Sequence, residues 1–263
     1  MSNHPLTTLA QRVRSGDPLF IGWCGSFDPF VPEAMLNGGF ETVLLDMQHG
    51  TLDFAAVARG LAHMAARGRP TFVRIPVGEF ATASKLLDAG AAAIVAPMIN
   101  SVEDAKAFVS FCKFSPVGER SWGPSRALAW SGMEPPRYFK AANDMHIALA
   151  MIETKRALAA LDDILAVPGL DGVFIGPSDL SIGLTDGAVV DAGHESVDKA
   201  LDKVIAACRK HGKIASLFCM GGQRAHEMAA RGFHICSVAT DGMMLATAAR
   251  QELAIARGQS KQG

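Results

Sequence analysis

Short apolar segments alternate with helical patterns along almost the whole chain, and this alternation limits the fold more than any other feature. The segments are four to six residues long, as expected for strands that are buried on both faces of a parallel sheet. Longer stretches with helical spacing of apolar residues lie between them. The predicted strands are Leu19–Cys24, Thr42–Leu45, Thr71–Ile75, Ala93–Pro97, Ile147–Ile152, Gly172–Ile175, Ile214–Phe218 and Phe233–Val238.

Eight strands with intervening helices favour an α/β protein with a (β/α)8 TIM barrel. A doubly wound open sheet is the structural alternative, because sequence does not show whether the sheet closes. The 263 residues fit one domain, 1–263, without a flexible linker. An insertion at about residues 114–136, after the fourth strand, is expected to pass over the catalytic face. The predicted helices are Phe54–Ala66, Phe80–Ala89, Val102–Phe111, Thr154–Leu165, Glu195–His211, Gln223–Arg231 and Gly242–Arg257.

Charge and composition narrow the possible partners. The net charge is −1 and no run of Lys and Arg occurs, so nothing supports a nucleic-acid or membrane-surface partner. The five cysteines form no C-x-x-C pair, and we interpret them as reduced core thiols. The N-terminus lacks the apolar core of a signal peptide, and no apolar run is long enough to cross a bilayer. We therefore expect a cytoplasmic protein.

Two of the predicted strands lead to a carboxylate. Ile147–Ile152 is followed by Glu153, and Gly172–Ile175 by a turn that holds Asp179. The carboxyl ends of parallel strands meet at one edge of the sheet, where α/β enzymes build their sites. Two carboxylates without a nearby cysteine suit Mg²⁺ or Mn²⁺, with water and substrate oxygens as further ligands. Taken singly, Glu153 could instead cap the helix near Thr154, and Asp179 could cap a short turn. Taken together, the two carboxylates favour a metal site.

Two further strand ends carry polar residues. Asp46 precedes His49 by three positions in a strand-to-loop turn, where a carboxylate can orient an imidazole and raise its basicity. Alternatively, Asp46 caps a helix and His49 faces solvent. Arg74 lies in an apolar strand and needs a partner, since burying an unpaired cation is costly. An anionic ligand or a salt bridge with Asp46 or Glu79 would satisfy it, and both stay open.

The turn Gly176–Ser181 can present consecutive backbone N–H groups to an anion such as a substrate carboxylate. Lys140 and Lys155 are the candidates for a Schiff-base nucleophile. Neither lies in a strand aimed at the barrel interior, so a lysine-dependent aldolase is not favoured. The remaining histidines show no metal-binding spacing.

Six short motifs together resemble the HpcH/HpaI aldolase family, the class II, metal-dependent pyruvate aldolases that act on 4-hydroxy-2-oxo acids. The likeness runs in order from about residue 20 to residue 250. Its most specific parts are the Ile-Glu-Thr and Gly-Pro-Ser-Asp-Leu-Ser pieces. The motifs are Leu45–Gly50, Val73–Pro76, Leu87–Ala91, Ala96–Met98, Ile152–Thr154 and Gly172–Ser181.

The resemblance implies a (β/α)8 barrel that assembles as a hexamer built from dimers. Glu153 and Asp179 would hold Mg²⁺, Mn²⁺ or a related divalent ion such as Co²⁺ or Zn²⁺, and Trp23 would line the pocket. The implied reaction is reversible cleavage of a 4-hydroxy-2-oxo acid to pyruvate, or a close analogue such as hydroxypyruvate, and an aldehyde.

The resemblance also implies roles for the other candidates. His49, paired with Asp46, would act as the base. Arg74 would bind the oxygen of the keto acid, and backbone N–H groups near Ser178 and Asp179 would bind its carboxylate. Two alternatives stay open. One is a lyase of the citrate-lyase β-chain or malyl-thioester type, although no basic patch for coenzyme phosphates is found. The other is a non-catalytic protein that binds keto acids or metal on the same fold.

The chain departs from the family pattern in three places. Gln48 stands where the family often has Glu, and Met151 where it often has Gln. Ser121 and Trp122 occupy insertion positions where smaller residues are expected. We expect these changes to leave the metal and base in place and to affect the aldehyde preference.

Overall fold

The eight strands close into a barrel. A computed structural model of the protein describes residues 5–26 and 28–259; the first four residues of the N-terminus, which was predicted to lack a signal peptide, lie outside them. Parallel strands pair in chain order, and β1 pairs with β8, which confirms the barrel and excludes the open sheet. The strands are β1 (Leu19–Cys24), β2 (Thr42–Asp46), β3 (Phe72–Arg74), β4 (Ala93–Ala96), β5 (Ile147–Ile152), β6 (Gly172–Ile175), β7 (Ile214–Leu217) and β8 (Ile235–Thr240).

The described residues form thirteen helices, and each predicted helix is found. The predicted helix Thr154–Leu165 is two short helices that meet at Ala160. Five helices were not predicted: α1, α2, α6, α7 and α10. The helices are α1 (Pro5–Ser15), α2 (Phe30–Asn37), α3 (Phe54–Ala66), α4 (Phe80–Asp88), α5 (Val102–Cys112), α6 (Ser125–Ser131), α7 (Pro135–Met145), α8 (Lys155–Ala159), α9 (Leu161–Leu165), α10 (Pro177–Leu184), α11 (Glu195–His211), α12 (Gly222–Arg231) and α13 (Asp241–Ala256).

Helices α1 and α7 cover the N-terminal end of the barrel. Leu9 and Val13 of α1 and Tyr138 of α7 belong to one buried cluster with Leu19 and Ile147, which begin strands β1 and β5. A second buried cluster lies between the strands and the outer helices. Apolar packing therefore closes the N-terminal end, and the functional residues predicted at the ends of the strands lie at the opposite end.

The insertion also lies at the N-terminal end, so the expectation that it passes over the catalytic face is wrong. Helix α5 follows β4 and returns the chain to the N-terminal end before the insertion begins. Arg120 donates a hydrogen bond to Asp88 at the end of α4, at 2.6 Å. Trp130 packs so closely on Gly90, just before β4, that a Cβ there would collide with its ring. The length of helix α5 therefore separates the insertion from the C-terminal ends of the strands.

The cysteines are core residues, as predicted. All five are buried and none forms a disulfide bond. Burial raises the pKa of Cys24, Cys112 and Cys208 to about 12, so these thiols stay protonated at neutral pH. Within the described residues, no helix has the length and apolar character needed to cross a membrane.

Candidate active site

The predicted site residues meet at one cavity at the C-terminal end of the barrel. The cavity has a volume of about 330 Å³ and is bounded by the ends of strands β1, β2, β3, β5, β6, β7 and β8. Its lining includes all seven candidates from the sequence, namely Trp23, Asp46, His49, Arg74, Glu153, Ser178 and Asp179. The structure therefore brings the whole predicted set together.

Asp46 and Arg74 form a buried, two-pronged ion pair. Arg74 donates from Nε to Asp46 Oδ1 at 2.8 Å and from Nη2 to Oδ2 at 2.6 Å. Trp23 Nε1 donates to Oδ2 at 3.1 Å, and the Gln48 backbone N–H donates to Oδ1 at 3.0 Å. Burial alone would raise the pKa of Asp46, but the hydrogen bonds and charge of Arg74, with the other two donors, lower it below its ordinary value. Asp46 is therefore a fixed anion.

The structure does not pair Asp46 with the imidazole of His49. Among the described residues, the carboxylate makes no hydrogen bond to that ring and instead accepts the His49 backbone N–H at 3.4 Å. The strand register explains the difference, because it places Asp46 directly beside Arg74 on the neighbouring strand. The expected orientation of the imidazole by Asp46 is therefore wrong. His49 is exposed at the cavity.

Arg74 is also held by an aromatic ring. Its guanidinium carbon lies 4.7 Å from the centre of the Trp23 ring, which suits a cation–π contact. Trp23 is fixed in turn by Phe174 and Phe218, at ring distances of 5.7 and 5.2 Å. The sequence left Asp46 and Glu79 open as salt-bridge partners, and Arg74 pairs with Asp46. Within the described residues, Arg74 Nη1 has no hydrogen-bond partner, so one donor pair is left for a ligand.

Glu153 is almost fully buried and only lightly hydrogen-bonded. Its side chain is not the cap of helix α8, because Thr154 Oγ1 accepts the capping bond from the Ala157 backbone N–H at 3.0 Å. Glu153 Oε2 instead accepts one bond from the Met98 backbone N–H at 2.9 Å. Burial, supported by the charge of Asp179, raises the pKa of Glu153 to about 7. The capping interpretation of Glu153 is therefore wrong.

Two residues that were given no role in the sequence hold this carboxylate in place. Met98 has a φ of +57°, a left-handed conformation that is uncommon outside glycine and costs backbone energy. In that conformation its N–H reaches Glu153. A Cβ on Gly176 would collide with Glu153 Oε1, so glycine leaves the room that the carboxylate occupies. The motifs contained both residues, but only the folded geometry shows what they contact.

Asp179 lies in the first turn of helix α10, where the sequence predicted only a turn. Gly176 is the residue before this helix, and no side chain caps it. The first N–H groups of a helix have no partner within the helix, so those of Ser178 and Asp179 suit an anion. Within the part of the chain that the structure describes, the Asp179 carboxylate makes no hydrogen bond, which argues against a capping role.

The sequence model of the HpcH/HpaI aldolase/citrate lyase family matches residues 20–248 of the chain. The chain belongs to this family. It is accordingly a lyase of the aldolase type. The HpcH/HpaI match includes every site residue described above.

Individual HpcH/HpaI relatives cover nearly the full chain. The hydroxypyruvate/pyruvate aldolase of Rhizorhabdus wittichii is 39% identical over 242 residues, which are 92% of this chain and 95% of the relative. The 2-keto-3-deoxy-L-rhamnonate aldolase of Escherichia coli K12 is 32% identical over 247 residues, 93% and 91% of the two chains. The crystal structure of a family protein from Burkholderia cenocepacia J2315 superposes with a TM-score of 0.86 at 30% identity, covering 95% of this chain and 99% of the other.

The three departures from the family pattern lie in different environments. Met151 is buried and lines the cavity. The Gln48 side chain lies outside the lining, and its Oε1 is buried without a hydrogen-bond partner among the described residues. Trp122 packs on Phe114, with ring centres 5.6 Å apart, in the insertion at the opposite end of the barrel. Within one chain, only Met151 can touch a substrate in the cavity, so the expected influence of Trp122 on substrate preference is not supported.

Proposed function

We propose that the protein is a divalent-metal-dependent aldolase that reversibly cleaves 4-hydroxy-2-oxo acids to pyruvate, or a close analogue such as hydroxypyruvate, and an aldehyde. One observation carries this proposal: Glu153 and Asp179 line the same small cavity as Arg74 and His49. The names of the R. wittichii and E. coli relatives support keto acids as the substrate class.

The residues present suit a divalent cation. Glu153 is buried with a single N–H donor, and the Asp179 carboxylate has no hydrogen bond within the described residues. Carboxylate oxygens are the ligands that Mg²⁺ and Mn²⁺ prefer. No group of three or more His, Cys, Asp or Glu residues that could hold a metal occurs among the described residues, so water and substrate would complete the coordination. A bound cation would supply Lewis-acid polarisation of the keto group.

The surrounding residues can bind the keto acid and stabilise its enolate. Arg74, fixed by Asp46 and Trp23, has Nη1 free to donate to the keto oxygen as negative charge develops there. The N–H groups of Ser178 and Asp179 at the start of α10 can bind the substrate carboxylate. Asp46 thus acts by positioning Arg74.

His49 is the proposed base. It lines the cavity and is exposed, so it can move a proton between the hydroxyl or methyl group of the substrate and solvent. In the cleavage direction, it would take the proton from the hydroxyl group as the carbon–carbon bond breaks and the aldehyde forms.

The cavity favours a small keto acid over a coenzyme A thioester. Its volume is about 330 Å³, and Arg74 is the one Lys or Arg in the described lining. A lyase of the citrate-lyase β-chain or malyl-thioester type would need cationic groups for several coenzyme phosphates. Membership of an enzyme family argues against a purely binding role.

We further propose that the protein is a homo-oligomer, with the hexamer as the expected form. Helix α13 buries none of its residues in the single chain and leaves Leu245, Leu253 and Ile255 exposed. Large exposed apolar patches are typical of surfaces that bind another protein. Light scattering that showed a monomer at micromolar concentration would overturn this assembly.

Two variants test the assignment of the site. We expect chelator-treated Glu153→Ala to lose Mn²⁺ binding in an electron paramagnetic resonance titration. His49→Ala should bind Mn²⁺ normally but lose exchange of the pyruvate methyl protons with D₂O. Glu119→Ala, which changes an exposed carboxylate in the insertion, is the matched control and should behave as wild type. Normal Mn²⁺ binding in Glu153→Ala, or normal exchange in His49→Ala, would remove the corresponding role.

A further inference from the structure

A second cavity lies at the N-terminal end of the barrel, opposite the active site. It has a volume of about 410 Å³ and forms where helices α1, α11 and α12 end and strands β7 and β8 begin. Four basic side chains line it, and none of its lining residues is acidic. The basic residues are Arg14, Arg209, Lys213 and His234.

Three of these side chains keep hydrogen-bond donors free. Within the described residues, the Arg209 guanidinium makes no hydrogen bond or ion pair. Lys213 Nζ donates once, to the Leu170 carbonyl at 2.5 Å, which leaves two of its three protons. His234 Nδ1 accepts the Ala215 backbone N–H at 3.1 Å, so Nε2 carries the proton of the neutral ring. Donors are therefore available from helix α11 and from the loops that precede β7 and β8.

Positive charge in this region exceeds negative charge. Asp171 lies near Lys213, and it already pairs with Arg14 at 2.5 Å and Lys113 at 2.7 Å. Burial lowers the pKa of Lys213 although Asp171 opposes it, and the charges of Lys113 and Arg14 add to the lowering. One carboxylate thus faces three neighbouring cations, before Arg209 is counted.

Hydrogen bonding to the last carbonyls of the helices does not occupy these donors. Basic residues near a helix C-terminus often bond its last carbonyls. Here the backbone does so: the Lys213 N–H donates to the Cys208 carbonyl at 2.8 Å, and the Phe233 N–H donates to the Met228 carbonyl at 3.1 Å. Gly212 and Gly232 provide the left-handed caps of the two helices. The side chains of Arg209, Lys213 and His234 stay available to another acceptor.

We propose that this cavity binds the phosphate dianion of a small molecule. A dianion would offset the excess positive charge, and its several oxygens could accept from Arg209, Lys213 and His234 at once. Ile205 and Phe233 give part of the wall an apolar character that suits a short carbon chain. The phosphate could be free or part of a monoester, and the recognising chemistry is the same.

Isothermal titration with inorganic phosphate, at constant ionic strength in chloride, tests the proposal. We expect one phosphate to bind per chain. Arg209→Gln should weaken binding by about tenfold, the loss of one charge-assisted hydrogen bond. Lys210→Gln is the matched control, because Lys210 is the next residue but pairs with Asp162. It should change binding by less than about twofold, which excludes a general effect of charge.

Three results would overturn the proposal. The first is no binding of phosphate beyond that of chloride, and the second is equal weakening of phosphate binding by Arg209→Gln and Lys210→Gln. Binding that Arg209→Gln leaves unchanged would place the phosphate elsewhere, for example at the active site. A parallel titration with glycerol 3-phosphate identifies the source. Tighter binding than that of inorganic phosphate assigns the cavity to a monoester, and equal binding assigns it to free phosphate.

Discussion

Two buried charged groups at opposite ends of the barrel are bonded in different ways. At the N-terminal end, Lys113 Nζ donates to the carbonyls of Asn143 and His146, both at 2.6 Å, and to Asp171 at 2.7 Å. At the C-terminal end, Glu153 accepts one bond within the described residues, from Met98. Lys113 has a partner for each of its protons, whereas Glu153 has acceptor sites to spare. We infer that the Lys113 charge stabilises the fold, and we propose that the Glu153 carboxylate binds a ligand.

The largest expected effect comes from removing the fully hydrogen-bonded side chain of Lys113. Lys113→Ala would leave two buried carbonyls without their donor and Asp171 with one cation fewer. We expect it to lower the free energy of unfolding by about 3–5 kcal/mol. Urea unfolding of the metal-free protein measures this loss. Lys106→Ala, at an exposed position of α5, is the control and should cost less than about 0.5 kcal/mol. A loss as small as that of the control would refute the structural role of Lys113.

Removing the charge of Glu153 is expected to change the free energy of unfolding in the opposite direction. Because its folded-state pKa is about 7 and its ordinary value is 4.5, folding favours the protonated form. Its contribution to stability is therefore present below pH 4.5 and is lost as the pH rises through 7. Glu153→Gln, which cannot ionise, should stabilise the metal-free protein at pH 8 by roughly 2–3 kcal/mol relative to its effect at pH 5.

Urea unfolding at the two pH values tests this difference. Glu119→Gln removes an exposed carboxylate and should show no such pH dependence. An effect of Glu153→Gln that is equal at pH 5 and pH 8 would mean that the carboxylate is not held in an unfavourable environment, and the contrast with Lys113 would fail.

A smaller effect is expected from moving the Glu153 carboxylate without removing it. Gly176→Ala places a Cβ against Glu153 Oε1, while its φ of −93° suits any residue. We expect the fold to persist and Mn²⁺ affinity to fall by about 10–100-fold, as for other residues that position a ligand. Gly183→Ala in the same helix is the control, since its nearest contact is an ordinary 3.5 Å. Equal Mn²⁺ affinities for the two variants would contradict the role of Gly176.

The smallest expected effect is a change in the KM for pyruvate, which should differ between variants of Met151 and Trp122. Met151 lines the cavity, so Met151→Gln should change the KM for pyruvate by up to about tenfold through one added hydrogen bond. Trp122 lies at the other end of the barrel, and Trp122→Ala should leave that KM unchanged. Steady-state kinetics on both variants decides the point. A larger change in Trp122→Ala would show that the insertion reaches an active site.

The sequence predicted the barrel well because its strands are buried on both faces, which produces short continuous apolar runs. It also predicted the gathering of Glu153, Asp179, His49 and Arg74, since parallel strands end at the same edge. The position of the insertion was predictable in principle. The helix Val102–Phe111 that precedes it must return the chain to the N-terminal end before the next parallel strand begins.

The contacts within the site could not be predicted in this way. The pairing of Asp46 with Arg74 depends on the register of two strands, which the sequence pattern leaves undetermined. The left-handed conformation of Met98 is imposed by tertiary structure on a residue that does not favour it. The closeness of Gly176 to Glu153 likewise depends on a side-chain position.

Exchange of the pyruvate methyl protons in D₂O tests the central claim most directly. Chelator-treated protein is mixed with pyruvate, and the methyl signal is followed by proton NMR before and after addition of Mg²⁺ or Mn²⁺. We predict no exchange above background without metal, rapid exchange with it, and no covalent adduct after treatment with borohydride. Exchange at full rate without metal, or a Schiff base trapped on a lysine, would contradict the proposed metal site at Glu153 and Asp179.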